Sequence, residues 1–533
     1  MKDFTHSAFM MRSTLAITLA CCMIGHSHLQ ADIKPAPVFG DHMVIQRDMK
    51  VPVWGRAAAG EEITVEFAGQ NKTVKTGVNG KWRTDLDPMT ASTTPRTLTI
   101  SSGNQTSKPV KFEDVLVGEV WLCSGQSNME FTVNEKGVCV AGFVNIQATA
   151  NYPLIRQIRV PKANRYEPAE TFNASWQVCS PQTVGPFSGV AYFFALNLFQ
   201  KLNIPVGLIN CSYGGTPAEA WLSKQVFDVN PAGQLIKARM AKGLTDYQTA
   251  KASWDLESEA AKASGAKFEK PAPRPPIGPG HPYAPVGVYN AMLYPLIPTA
   301  IRGVIWYQGE ANAWHPEEYH ELFSALIQQW RKDWNLGDFP FYYVQLPNFK
   351  GNESDPTGWA RLREAQTKTL ELPNTGMAVT IDVGDRNNIH PRNKTDVGKR
   401  LALLALKNTY GKADIECSGP LFDHCTPAGS EMKIFFKHAS GLNAKTSSPT
   451  GFEIAGKDKM FVPATAIVKD ETVLVSSTNV MNPVAVRYAW VNAPEASLYN
   501  GAGLPAAPFR TDSWEPEIGG GSSIQSSPPG LQR

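Results

Sequence analysis

The chain has 533 residues, of which 42% are hydrophobic and 19% charged, and its formal net charge is +3. Such a length exceeds what one core can organise and implies roughly three or four domains. The near-neutral balance gives no polyanion-binding surface, and we find no phosphate-cradling glycine loop, metal-ligand spacing or nucleic-acid motif.

Residues 1–31 read as a signal peptide: Lys2 and Arg12 form the basic part, 14–24 the apolar part, and Leu29-Gln30-Ala31 a cleavage site. The apolar run is too short to span a bilayer, so the expectation is export to the periplasm or beyond the cell. Cys21 and Cys22 raise lipid anchoring as an alternative, which Thr18-Leu19-Ala20 matches poorly as a lipobox. No later stretch is long and apolar enough for a transmembrane helix. Six cysteines remain, Cys123, Cys139, Cys179, Cys211, Cys417 and Cys425. An oxidising compartment permits a Cys417–Cys425 bridge, while Cys123 and Cys211 end apolar runs and suit buried thiols.

Residues 32–112 alternate and turn like a β-sandwich. The runs are Met43-Val44-Ile45, Val51-Pro52-Val53-Trp54-Gly55, Ile63-Thr64-Val65-Glu66-Phe67, Lys81-Trp82-Arg83 and Thr97-Leu98-Thr99-Ile100. Trp54 and Trp82 suit either a core or a sugar-binding face, and the core reading is preferred. Residues 113–410 change to strands alternating with helices, the pattern of an α/β core with a mostly parallel sheet. Ser188 is placed to cap a helix running to 202, and strands are expected at 204–210, 301–306, 341–346 and 376–382. Helices are expected at 317–334, 359–370 and 391–407, with Pro391 in the first turn of the last. An Ala- and Lys-rich, then Pro-rich, stretch at 228–280 interrupts the alternation as an insertion or lid. Short strands return in a C-terminal β region at 411–515, expected to pack on the first β module. The Gly-, Ser- and Pro-rich tail at 516–533 is expected to be disordered.

The chemistry gathers at strand ends. The apolar run through Leu122 ends at Ser124-Gly125-Gln126-Ser127, which puts a serine hydroxyl and its N–H at a helix start. An N-cap is the plain alternative for that serine. Gly214-Gly215 follows another strand, Gln308-Gly309-Glu310 a third, and a loop with His390 a fourth. Open α/β sheets bind ligands at the carboxyl ends of their strands, so the four loops can converge. Ser127 then serves as nucleophile and His390 as base. The oxyanion donors are the Ser127 N–H, that of Gly214 or Gly215 (Gly215 preferred) and the Gln308 amide. Gln126, Asn128, Glu310 and Arg392 are candidate substrate contacts, with Glu310 also able to orient Gln308 or Asn312. For the acid that holds the imidazole, Asp385 is preferred, with Asp382 or a backbone carbonyl open.

Ordered blocks along the chain resemble the sialate O-acetylesterase family of the SGNH-hydrolase superfamily. They include Phe39-Gly40-Asp41-His42-Met43-Val44-Ile45-Gln46-Arg47, Gly125-Gln126-Ser127-Asn128-Met129-Glu130 and Gly214-Gly215-Thr216-Pro217-Ala218-Glu219-Ala220-Trp221. Further blocks are Trp306-Tyr307-Gln308-Gly309-Glu310-Ala311-Asn312, Ile389-His390-Pro391-Arg392-Asn393-Lys394, Val486-Arg487-Tyr488-Ala489-Trp490 and the stretch 504–512. The resemblance implies a flavodoxin-like three-layer esterase core without metal or cofactor, Ser127 as nucleophile and His390 as base. It implies an O-acetylated sugar as substrate, and an arginine (Arg361, Arg386 or Arg392) to bind the carboxylate of a sialic acid. Acetylated xylan or another plant glycan is the alternative substrate, and a non-catalytic glycan-binding protein the alternative of another class. The superfamily's aspartate three residues before the histidine is replaced by Asn387, which leaves the acid open.

Overall fold

The computed structural model describes residues 32–103, 108–278 and 280–514. The leader expected at 1–31, with Cys21 and Cys22, and the tail expected at 516–533 lie outside the described residues.

The molecule is a mixed α/β protein built on a central strand, β1 (Val110–Gly125). With it stand β2 (Tyr152–Arg159), β3 (Trp176–Cys179), β4 (Val206–Ser212), β5 (Gly303–Tyr307), β6 (Phe341–Val344) and β7 (Thr375–Ala378). Their order is β3-β2-β4-β1-β5-β6-β7, parallel throughout except for β3. Leu116, Val120, Trp121, Leu122 and Cys123 of β1 are all buried. A strand covered on both faces needs such a continuous apolar run rather than alternation.

Among the helices are α1 (Ser127–Glu130), α2 (Gly189–Leu202), α3 (Pro231–Ser264), α4 (Tyr319–Trp334), α5 (Gly358–Lys368) and α6 (Thr395–Asn408). Trp121 packs on Phe194 of α2, and Trp306 of β5 packs on Phe323 and Trp330 of α4. Trp306 lies opposite Ser124, so it points to the other face from Trp121. Helices therefore cover both faces of the sheet. Ser188 caps α2 as expected, its hydroxyl accepting the Ala191 N–H at 3.2 Å.

The first half of β1 belongs to the N-terminal region. It pairs with the strand Ser92–Ser102 and with Val44–Gln46, so it runs through the boundary expected near residue 112. Glu119, buried inside this seam, is paired with Arg47 at 2.5 Å and Arg302 at 2.8 Å. The alternating strand Glu62–Phe67 buries Ile63, Val65 and Phe67. Trp82 is buried, and Trp54 packs edge-on against Phe39, so both have core roles.

Several expectations need correction. The helix carrying the His390 loop starts at Thr395, not at Pro391, because Asn393 Oδ1 takes the Asp396 N–H at 3.1 Å. Residues 391–394 are thereby left as loop, with Lys394 buried. All six cysteines in the described residues are free, so Cys417 and Cys425 are not bridged; Cys425 instead sits in a strand opposite Ile434. Cys123 and Cys211 are buried thiols as expected. The C-terminal strands attach to the core helix α5. Arg510 pairs with Glu364 at 2.9 Å, and buried Arg363 donates to the carbonyls of Leu346, Pro347, Val491 and Asn492. The stretch expected as an insertion carries one 34-residue helix, α3, capped by Asn230 and ended by Gly265 in the left-handed conformation, and its Pro-rich part over 266–278 is not helical.

Candidate active site

At the end of β1 the backbone turns at Gly125, whose φ of +135° suits glycine. A Cβ there would stand 2.1 Å from the Tyr307 carbonyl oxygen, which accepts the next N–H, that of Gln126, at 3.0 Å. The close approach of β1 and β5 throws Ser127 outward as the first residue of α1. A separate loop, between β7 and α6, brings His390 to it: His390 Nε2 lies 2.7 Å from Ser127 Oγ. Burial pushes the imidazole pKa down to about 4; the charge of Lys394 adds to this and that of Glu130 opposes it. An unprotonated imidazole on a serine hydroxyl is the arrangement that accepts the serine proton during attack on a carbonyl.

The donors around Ser127 differ from expectation. Gly214 gives its N–H to Glu130 Oε2 at 2.7 Å. The loop nevertheless comes close, since a Cβ on Gly214 would be 3.3 Å from Ser127 Cβ. Gln308 is buried with its amide nitrogen held by Asn312 Oδ1 at 2.7 Å and the Thr216 carbonyl at 3.3 Å. Its carbonyl oxygen takes the Tyr319 hydroxyl at 2.9 Å, so Gln308 braces the loop and has no N–H left for an oxyanion. The N–H groups of Ser127 and Gly215 have no acceptor among the described residues. Gly215 needs its glycine: φ is +80°, and a Cβ would be 2.4 Å from the Tyr283 hydroxyl.

Asp385 is exposed and accepts the N–H groups of Asn387 at 2.9 Å and Asn388 at 3.2 Å. Asp382 forms a two-point pair with Arg400, at 2.6 and 2.7 Å. Among the described residues no carboxylate is within ion-pair reach of the His390 ring, which corrects the preference for Asp385. His390 is held through its backbone, its N–H donating to Asn388 Oδ1 at 2.9 Å.

The expected substrate contacts also turn inward. Gln126 Oε1 takes the N–H groups of Gly309 and Ala311. Asn128 is buried and donates to Glu310 Oε1, so Glu310 orients Asn128 rather than Gln308 or Asn312. Arg392 is exposed but lies on the carbonyl and Sγ of Cys139, each at 2.9 Å. Arg361 is tied to Glu317 and Asp355. Three residues of the site went unread in the sequence: Glu130, Glu219, which accepts from Asn312, and Lys394. Each stands inside a quoted block, and a charged residue there that the chemistry does not use is the signal that could have found it. Among the described residues no cluster of metal-ligating side chains occurs, and no helix is long and apolar enough to cross a membrane.

A family model described as carbohydrate esterase, sialic acid-specific acetylesterase, matches residues 117–254 and 287–407. Sialate O-acetylesterase of Rattus norvegicus is 29% identical over 521 residues, covering 89% of this chain and 93% of its own. The Homo sapiens protein of the same name is 27% identical, covering 89% and 91%. A crystal structure of a carbohydrate acetylesterase from Xanthomonas citri is 35% identical, covers 90% of this chain and 100% of its own, and superposes with a TM-score of 0.77. With the serine–imidazole pair at the strand ends and similarity running through nearly the whole length, the chain is an esterase and belongs to the sialic acid-specific acetylesterase family of carbohydrate esterases.

Proposed function

We propose that this protein is an exported carbohydrate O-acetylesterase that removes acetyl groups from O-acetylated sialic acids through a serine acetyl-enzyme. The observation that carries the reading is the 2.7 Å contact of Ser127 Oγ and His390 Nε2. Ser127 attacks the acetyl carbonyl as its proton passes to His390 Nε2. The oxyanion faces the N–H groups of Ser127 and Gly215, each such donor being worth about 3 kcal/mol. Collapse breaks the bond to the sugar oxygen, which leaves with the proton from His390. Water, deprotonated by the same imidazole, then attacks the acetyl-enzyme and releases acetate. The leader-like segment at 1–31 supports export to the periplasm or beyond the cell. Helices on both faces of a parallel sheet support an SGNH-type three-layer core, and the antiparallel strands between 44 and 102 support an N-terminal β-sandwich.

The sialate relatives favour sialic acid. The 35% identical carbohydrate acetylesterase of Xanthomonas citri is tied by its description to no one sugar, which is compatible with the second reading, acetylated xylan or another plant glycan. Acetate release from O-acetylated sialoglycans and from acetylated xylan, assayed side by side, separates the two. Wild type and Ser127→Ala compared on p-nitrophenyl acetate test the chemistry, and equal turnover refutes it. Saturable sugar binding without acetate release would mark a non-catalytic glycan-binding protein instead.

A further inference from the structure

Directly behind the serine lies a buried lysine. Lys394 Nζ donates to Asn128 Oδ1 at 2.6 Å and sits 4.7 Å over the Phe131 ring and 5.4 Å over that of Tyr307. Gly189 makes room for it, since a Cβ there would press on the Lys394 side chain at 3.3 Å. The Asn128 amide nitrogen donates to Glu310 Oε1 at 2.5 Å and to the Ile389 carbonyl at 2.9 Å. Glu310 Oε2 is buried without a partner among the described residues. Two polar side chains from two other segments thus meet at the Asn128 amide, adjacent to the serine and anchored to the residue before the histidine. Burying a lysine and a carboxyl carries a desolvation cost that packing alone does not require.

We propose that Asn128, Lys394 and Glu310 are positioning residues for His390, supplying through the main chain and through a buried charge the control that a carboxylate on the ring would otherwise exert. The inference rests on the reading of Ser127 and His390 above. Asn128 fixes the Ile389 carbonyl and hence the backbone that carries the imidazole. Lys394 opposes early protonation of the ring, keeping Nε2 free to accept from Ser127. The charged groups that face the ring are Lys394 and Glu130; Glu310 and the Tyr307 phenol face Lys394. Burial lowers the Lys394 pKa to about 7 while Glu310 holds it up.

The test compares wild type, Ser127→Ala, Lys394→Gln and Asn128→Ala on p-nitrophenyl acetate from about pH 4 to 8. Lys394→Gln keeps an N–H donor on a side chain one atom shorter and loses the charge. It is expected to lower kcat about 10-fold with KM within about 3-fold, and to move the acid limb of kcat/KM upward, toward ~6.5. Asn128→Ala leaves the lysine charge and is expected to lower kcat about 10-fold without that upward movement. A merely structural role would reduce the folded fraction and leave the acid limb in place. Folded Lys394→Gln with wild-type kcat and acid limb overturns the proposal. Should that variant fail to fold, wild-type kcat in Asn128→Ala overturns it instead. Turnover retained by Ser127→Ala would sink the parent reading. Turnover lost there but untouched in the other two variants sinks only the positioning role.

Discussion

Glu130, one helical turn beyond Ser127, takes the Gly214 N–H on Oε2 at 2.7 Å. The contact fixes the loop that presents Gly215, while Oε1 of the same carboxylate holds Lys162 at 2.7 Å. Its negative charge also favours a protonated His390. Glu130→Gln keeps an acceptor for Gly214 and removes the charge, so the imidazole should stay neutral to lower pH. The acid limb of kcat/KM is expected to move downward with kcat near wild type, whereas Glu130→Ala, which frees the loop, should lower kcat by about 10-fold.

The pH profile of the wild type follows from the His390 environment. Its pKa lies at about 4, below the ordinary histidine value, chiefly through burial. The base works only unprotonated, so activity should persist well below pH ~6.5 and fall as the pH drops through the lowered pKa. An acid limb near pH ~6.5 in kcat/KM, measured where the protein stays folded, would contradict this geometry.

The two aspartates before His390 should behave oppositely. Asp385→Ala removes an exposed acceptor for two loop N–H groups and should leave kcat within about 10-fold of wild type. Asp382→Ala strands the Arg400 guanidinium, only 10% exposed, without its partner. Breaking such a pair costs about 3–5 kcal/mol, so the thermal midpoint should drop by several degrees. A loss of about 10³-fold or more in kcat for Asp385→Ala, with the fold intact, would restore it as the triad acid.

Gly125→Ala tests the turn that exposes the serine. The added methyl would lie 2.1 Å from the Tyr307 carbonyl, at a φ of +135°. The strand ends cannot separate without breaking the Gln126–Tyr307 hydrogen bond, so we expect insoluble protein or a folded remnant without turnover. Circular dichroism of the purified variant and its acetate release measure the two outcomes.

Much of the site was legible because its residues sit in glycine-marked strand ends, where local chemistry and topology agree. Ser127 and His390 meet as their loops implied, and the Gly214-Gly215 loop comes against the serine through Gly214. Gln308 was misread because an amide beside a glycine turn looks like an available donor; only the Thr216 carbonyl and Asn312, distant in sequence, show both its N–H groups taken. Asp385 was favoured for its nearness along the chain, yet an aspartate in a tight loop bonds its own backbone two and three residues on. Lys394 escaped notice because a lysine before a helix ordinarily points to solvent. Its burial depends on Asn128 and Gly189, which no local pattern ties to it. The α6 start was misplaced because Pro391 is as acceptable in a loop as in a first turn.

The strand Val110–Gly125 has one further consequence. Its opening residues hydrogen-bond to Ser92–Ser102 and Val44–Gln46, and its closing residues to the core. A fragment begun after residue 112 would inherit an open ladder, an uncovered Leu116 and a Glu119 stripped of Arg47. Raw edges of this kind recruit other chains. The N-terminal module is therefore no detachable appendage: shortening the gene to its hydrolytic portion should yield aggregates in place of a minimal enzyme.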